Sequence, residues 1–461
     1  MDAVKEIEAL VEKARAAQKI YETFDQEGVD AVVKAIGIVC YQNAELMSKE
    51  AVEETGFGNL KSKIAKHEGG AMAHWGFMKG KKSVGLIEDD PVTCVATYAK
   101  PIGVITSITP STNPTSTLFT NSMSALKCRN AVICAPHPAA KKCTAHAAAI
   151  IREALQKAGA PVDLVQCIEE PTIEKTQILM GKVDATIATG GPGMVRSAYS
   201  SGKPSFGVGP GNVQVLVDKG YDRNVGELVA GTIANRNRDY GIPCVGEQCI
   251  HIHKDDVDRI LKAFVEQNAF VIHDEETVDK FRKLLFTDNG NGGHMLNSKM
   301  VGKPAPFLAE QIGLKVPDNT NIFILRASGD ARTELLCREK LDPVMACLPY
   351  ETFDEAMEHV LTNLDVEGKG HSAVIYSTDE DHIKTYGEKV PVSRILVNCS
   401  SSFSGGGSFA IGLNPTSSLG CGFWGNNSIS ENLTYLNLMQ TTRVARIIPD
   451  AHIPTYEELF A

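Results

Sequence analysis

From Gly103 onward the chain alternates short apolar runs with helix-length segments, and this alternation constrains its fold more than any other feature. Gly103–Ile108 is apolar without a period of two, as in a strand buried on both faces. Ser116–Leu126 reads as a helix, Ala131–Ala135 as the next strand and Lys142–Ala158 as the next helix. Leu164–Ile168 and Ala185–Ala188 add two strands with a helix between them. Such repetition implies a parallel sheet with crossover helices, a doubly wound α/β domain of the nucleotide-binding type. A second alternation follows Cys244: Gln248–His253, a helix over Asp255–Gln267, then Asn321–Arg326 and Ser372–Tyr376. Residues 1–80 read as helices, with Val32, Val33, Ile36, Val39 and Cys40 on one face. Ser83–Ala99 reads as two strands around the turn Asp89-Asp90-Pro91. A chain of 461 residues exceeds what one core usually holds. The change of domain is placed near Ala234, inside the helix that leads to Cys244.

Composition excludes some classes of partner. Formal net charge is −10 and the basic residues are scattered, so no nucleic acid is expected to bind. No stretch approaches ~18 consecutive apolar residues, so no membrane span is expected. Met1–Ala14 sets Val4, Ile7, Leu10 and Val11 on one side of an amphipathic helix, unlike the apolar centre of an export signal. The 12 cysteines show no Cys-x-x-Cys spacing. They read as reduced thiols, and a cytoplasmic location is expected.

One cysteine has an unusual setting. Cys244 lies in Tyr240–Gln248, where Gly241 and Pro243 suit a tight loop and Cys249–Ile252 can leave it as a strand. A thiol at such a junction can face a cleft, whereas most cysteines are small core residues. Asn113 stands at a helix entry after the first buried strand, where an amide either caps the helix or points into a cleft. Thr189–Val195 follows a strand and opens a helix, so its N–H groups face an anion or merely close a turn.

The run Cys244-Val245-Gly246-Glu247-Gln248 resembles the nucleophile loop of the aldehyde dehydrogenase family, in the CoA-acylating branch whose loops read Cys-x-Gly/Ser-Glu-Gln. Ser197–Gly209 and Leu419–Leu433 resemble the same branch, and the resemblance spans nearly the whole chain. It implies an aldehyde dehydrogenase-like fold: a Rossmann-type cofactor domain, an α/β catalytic domain and a β oligomerisation arm. In that frame 1–233 is the nucleotide cofactor-binding domain, with its arm hairpin at about 83–99. Residues 234–427 form the catalytic cysteine domain, and 428–461 return to the cofactor domain and arm. The resemblance makes Cys244 the nucleophile and Asn113, with the Cys244 N–H, the oxyanion hole. It sets NAD or NADP against Thr109, Pro110, His137, Pro138, Gly190, Gly191, Val195 and Gly209, with Glu339 on the nicotinamide ribose. Hydrolytic relatives hold a ribose with a Lys where this chain has Ala135 or Pro136, so the choice between NAD and NADP stays open. Those relatives also carry a water-activating Glu in the turn matching Phe206–Asn212. Here Gly207 takes that place, and glycine cannot act as a base. The thioester is therefore expected to pass to coenzyme A as co-substrate, and the chemistry needs no metal.

The acyl tail is read from a departure. The branch usually shows Phe-Asp-Asn-Gly before the cysteine, whereas this chain has Arg238-Asp239-Tyr240-Gly241, with Arg236 two residues earlier. Guanidinium groups in a pocket wall suit an anionic tail, held by Arg236, Arg238 and Tyr240, unless the arginines reach solvent or grip CoA phosphates. The expected reaction turns aldehyde, CoA and NAD(P)+ into acyl-CoA and NAD(P)H through a Cys244 thioester. Sulfoacetaldehyde is the first choice of substrate and succinate semialdehyde the second. The alternatives are acylation of acetaldehyde or propanal, or hydrolysis to a free acid. The hairpin, with a tail strand near Arg443–Ile448, resembles the family's arm, so a homodimer or homotetramer is expected.

Overall fold

A computed structural model describes residues 2–290, 293–401 and 405–461. Four helices open it: α1 (Ala3–Tyr21), α2 (Gln26–Gln42), α3 (Ala44–Thr55) and α4 (Leu60–Met78). Asp25 and Asn59 start α2 and α4 by accepting from the Gly28 and Ser62 amides. On α2, Val29, Val32, Val33, Ile36 and Cys40 recur at helical spacing and are all buried. They join the core beneath the first parallel sheet.

Strands β1 (Gly85–Asp90) and β2 (Val95–Pro101) make the expected antiparallel hairpin. The tail strand adds to β2 over Met439–Ala445, starting earlier than the apolar residues near Arg443 suggest, because its pairing runs back to Pro101. Just before it, Leu433, Tyr435 and Leu438 bury in the first core, which returns the tail to that domain.

The first parallel sheet runs β3 (Val104–Thr109), β4 (Ala131–Pro136), β5 (Val165–Cys167), β6 (Ala185–Thr189) and β7 (Ser205–Val208), in spatial order β5-β4-β3-β6-β7. Helices α5 (Pro114–Lys127), α6 (Lys141–Lys157), α7 (Ile173–Lys182) and α8 (Pro192–Tyr199) connect the strands. Every residue of β3 and β4 is buried, which explains their lack of alternation. The strand order reverses between β3 and β6. The loops leaving those two strands therefore flank the crevice where open α/β sheets bind ligands.

The second sheet contains β8 (Val213–Val217), β9 (Glu247–His253), β10 (Ala269–Ile272), β13 (Ile322–Arg326), β14 (Val344–Tyr350), β15 (Gly370–Tyr376) and β16 (Val392–Val397). A small hairpin of β11 (Phe286–Asp288) and β12 (His294–Leu296) stands apart. The sheets change at 209–212, ahead of the boundary expected at 233/234. Strand β8 already pairs with β9 and β15, and helix α9 (Val225–Asn237) buries Leu228, Val229 and Ile233 in the second core. An apolar run reads alike whichever sheet it joins, so the sequence does not mark this crossing. Among the described residues no helix is long and apolar enough to cross a membrane.

Candidate active site

The strand-end loops of both sheets meet at one cleft of about 1500 Å³. It is lined by Thr109, Pro110 and Asn113 after β3, His137 and Pro138 after β4, and Gly190 and Gly191 after β6. Gly209, Arg238, Tyr240, Cys244 and Glu339 line it from the other side. Val195 and Arg236 do not.

The nucleophile loop is a strained turn held by charge. Asp239, Tyr240 and Gly241 have φ of 52°, 53° and 83°, three consecutive left-handed residues. For the two that are not glycine this costs ~1–3 kcal/mol each. At Gly241 a side chain is impossible, since a Cβ would meet the Asp342 carbonyl oxygen at 2.2 Å. Asp239 secures the turn. Its buried carboxylate accepts from the Asn59 amide at 2.9 Å, Lys63 Nζ at 3.0 Å and Lys66 Nζ at 3.1 Å.

Cys244 follows, partly exposed on the cleft. His371, from the start of β15, sets Nε2 3.3 Å from its Sγ, while Nδ1 lies 3.1 Å from Ser372 Oγ. Burial pushes the His371 ring down to about 3, with Arg394 acting in the same direction. The imidazole is thus neutral and can accept the thiol proton at Nε2. Burial also pushes the Cys244 thiol up to about 12, with Glu339 adding to the effect, so the resting group is a thiol. His371 is a residue that sequence reasoning missed. Its one signal is a histidine at the mouth of an otherwise apolar strand.

Asn113 occupies the N-cap of α5 without making a side-chain cap bond. Its Oδ1 accepts from Lys66 Nζ. Lysine can only donate, so the amide oxygen faces Lys66 and Nδ2 is the atom left over. Among the described residues Nδ2 has no protein acceptor, and Asn113 lines the cleft. The helix forgoes a cap worth ~1 kcal/mol, and the cleft gains an amide donor.

The Gly-rich turn 206–212 packs directly on the nucleophile. A Cβ on Gly211 would lie 1.9 Å from the Cys244 carbonyl oxygen. The Gly211 amide donates to Glu339 Oε1 at 2.9 Å. Burial, reinforced by Glu367, pushes the Glu339 carboxyl up to about 8. At Gly207 the space for a side chain is filled: a Cβ would lie 2.6 Å from Val195 Cγ1 and 2.9 Å from Tyr199 Cε2. Tyr199 Oη accepts from the Gly207 amide at 2.8 Å and the Ser428 amide at 3.0 Å. Val195 thus serves as packing behind the turn and is 7% exposed, which corrects its expected place against a cofactor.

Arg236 is corrected in the same way. It is fully buried, and its Nε donates to the Asp342 carbonyl at 2.8 Å. Nη2 bonds the Lys340 and Asp342 carbonyls. The last turn of α9 faces its own domain's core, so this guanidinium braces the loop and does not reach the cleft.

The nucleotide end fits a dinucleotide. Gly191 caps α8 without a side-chain bond, and a Cβ on it would find no atom within 4 Å, leaving room for a phosphate at the helix start. Beside it the Thr189 hydroxyl is buried and, among the described residues, has no protein partner. Among the described residues no cluster of three His, Cys, Asp or Glu side chains could hold a metal ion.

This architecture is a two-sheet α/β fold with a cysteine set beside a crevice at the strand ends of both sheets. Residues 2–279 match the model of the aldehyde dehydrogenase family. The chain is 46% identical over 454 residues to the succinate-semialdehyde dehydrogenase (acetylating) of Clostridium kluyveri, covering 98% of each. It is 36% identical to the sulfoacetaldehyde dehydrogenase of an Acholeplasma species, covering 98% of this chain and 92% of that one. The crystal structure of an acetylating aldehyde dehydrogenase from Geobacillus thermoglucosidasius superposes with a TM-score of 0.93 at 36% identity, over 98% of both chains. The chain belongs to the aldehyde dehydrogenase family.

Proposed function

We propose that this protein is a cytoplasmic, CoA-acylating aldehyde dehydrogenase acting on a short aldehyde with an anionic tail. The observation that carries the acyl transfer is the filled space at Gly207. With Val195 and Tyr199 packed there, the turn has no room for the carboxylate that would direct water at a thioester. The names of the relatives at 46% and 36% identity support the same reading.

The residues supply the remaining steps. Cys244 Sγ bonds to the aldehyde carbon as its proton passes to His371 Nε2. Burial disfavours thiolate and imidazolium separately, but formed together at 3.3 Å the two charges offset each other. Asn113 Nδ2 and the Cys244 N–H receive the charge that develops on oxygen. Thr109, Pro110, His137, Pro138, Gly190, Gly191 and Gly209, with Glu339 on the ribose, would hold a nicotinamide dinucleotide, which would supply the hydride acceptor. Loss of hydride from the adduct leaves the acyl group on Sγ. The CoA thiol then bonds to the acyl carbon, the Cys244 C–S bond breaks, and the CoA proton restores the Cys244 thiol. The proton first taken by His371 is released to solvent.

Arg238 and Tyr240 line the cleft, a guanidinium and a hydroxyl suited to a carboxylate or sulfonate. We infer succinate semialdehyde ahead of sulfoacetaldehyde, reversing the order drawn from Arg238 and Tyr240 alone, and the higher identity to the succinate-semialdehyde enzyme supports this order. The test follows absorbance at 340 nm with each aldehyde, with NAD or NADP, and with or without CoA. CoA-dependent turnover of the anionic aldehydes is expected. Turnover to free acid without CoA would overturn the acylating assignment.

The three-stranded sheet of β1, β2 and the tail strand leaves Leu86, Tyr98 and Val444 exposed. We infer that it pairs with a second copy in a homodimer or homotetramer. A monomeric mass in sedimentation at micromolar concentration would refute this.

A further inference from the structure

Lys66 stands between the two halves of the chemistry. It lines the cleft from α4 with its side chain 18% exposed. Its ammonium donates to Asn113 Oδ1 and, at 3.1 Å, to Asp239 Oδ2. Asn113 follows β3 of the cofactor sheet. Asp239 is the buried anchor of the strained turn that presents Cys244. One side chain therefore bonds both the amide read above as the oxyanion donor and the loop that carries the nucleophile.

An asparagine amide has two nearly isosteric ends, and only one is useful here. With Nδ2 toward the substrate oxygen it donates; flipped, it would set a carbonyl lone pair against the developing negative charge. Asn113 makes no cap bond that would choose between the two. A cationic donor at Oδ1 does choose, because it has no lone pair to accept from Nδ2. It also draws density from the amide carbonyl and strengthens the N–H groups as donors. Lys63 sits one turn earlier and makes the contrast clear. It shares Asp239 at 3.0 Å, but its second bond goes to the Thr112 carbonyl at 2.9 Å and not to the Asn113 side chain. Burial lowers Lys66 toward about 8 while Asp239 holds it up, so the ammonium is the major form at neutral pH.

We propose that Lys66 is a positioning residue for catalysis, fixing the Asn113 amide with its N–H groups toward the aldehyde oxygen and locking that amide to the Cys244 loop. This rests on the reading of Asn113 as an oxyanion donor, and a double-mutant cycle separates the two. Asn113→Ala should lower kcat by ~10²–10³-fold, the usual range for an oxyanion donor. Lys66→Met should lower kcat by about tenfold or more, with the aldehyde KM changed less than about threefold. The double variant should be no slower than Asn113→Ala alone within a factor of about three, since the amide that Lys66 orients is gone and Lys63 still pairs Asp239 at 3.0 Å. Lys63→Met combined with Asn113→Ala should instead multiply the two single losses. Lys66→Arg, which keeps a cationic donor, should recover part of the rate. Circular dichroism and thermal melting establish that each variant folds.

A full effect for Asn113→Ala with a multiplicative loss in the Lys66 double variant would overturn the positioning role while leaving the oxyanion hole intact. So would a Lys66→Met defect confined to the KM of anionic aldehydes, which would make Lys66 a tail contact. A negligible effect of Asn113→Ala would overturn the oxyanion reading itself, and the inference with it.

Discussion

At the nucleotide end of the cleft, the lining comes from backbone and small residues at strand–helix junctions: Thr109 and Pro110, His137 and Pro138, Gly190 and Gly191. At the thiol end it comes from buried ionisable groups. Asp239 anchors a left-handed turn against Lys63 and Lys66, His371 touches the Cys244 sulfur, and Glu339 holds the amide of Gly211. The first plan recognises a ligand by shape and amide dipoles, and a small change there displaces a ligand slightly. The second relies on charges paired in a low dielectric, where each group fixes the state of its neighbour. Losses at the nucleotide end should therefore be graded and fall on binding. Losses at the thiol end should be steep, non-additive and fall on kcat.

Cys244→Ala gives the steepest test. Among the described residues no other cysteine lines the cleft, so activity should fall by at least ~10³-fold. The variant should still melt as wild type does and still bind the dinucleotide by fluorescence titration, because the nucleotide end is untouched. Retained turnover would place the nucleophile elsewhere.

His371→Asn comes next. Without a base at 3.3 Å the thiol proton has nowhere to go, and kcat should fall by ~10²-fold or more. The pH profile carries the same logic. A thiol pushed up by burial is protonated below its raised pKa, so labelling of Cys244 by iodoacetamide in the free enzyme should climb with pH and reach no plateau below about pH 10. A plateau near neutrality would show that the thiolate is already formed at rest and that His371 is not needed as a base.

These two ends also differ in how far the sequence reveals them. The nucleotide end is local: each loop directly follows an apolar run and opens a helix, so strand–loop–helix order sets Gly190 and His137 at strand ends, and the resemblance adds their expected cofactor role. Cys244 and Asn113 are legible because their loops also resemble a family's loops. The partners of the thiol are not legible. His371 lies 127 residues from Cys244, and Lys66 lies 47 from Asn113 and 173 from Asp239. No periodicity links such positions; they meet because β15 and α4 pack where they do. Arg236 and Val195 fail for the converse reason. Each sits near a functional motif along the chain, but helix geometry turns its side chain to the core. The crossing between sheets at 209–212 is hidden because β7 and β8 are both mostly buried runs.

Arg238→Phe tests whether the thiol end also selects the tail. A charge-assisted contact to a carboxylate or sulfonate is worth ~1.5–3 kcal/mol, or roughly ten- to a hundred-fold in kcat/KM. The variant should lose that factor with succinate semialdehyde and sulfoacetaldehyde and keep its rate with acetaldehyde and propanal. An unchanged anionic preference would remove Arg238 from the tail pocket. An equal loss with all four aldehydes would assign it to the turn that carries Cys244.

The mildest change belongs at the other end. Gly191 has φ −63° and ψ 163°, a conformation open to any residue, and a Cβ there would meet no atom within 4 Å. Gly191→Ala should thus fold normally, with a stability change under ~1 kcal/mol from the N-cap preference alone. Its methyl would stand in the space at the start of α8 where, in the proposed reading, helix amides would face a pyrophosphate. A rise in the cofactor KM of about three- to tenfold, with kcat unchanged, is expected for a graded binding contact. Steady-state titration of NAD and NADP at saturating aldehyde and CoA reads it directly. A fall in kcat at unchanged KM would mean that this loop takes part in the chemistry, and the contrast between the two ends would not hold.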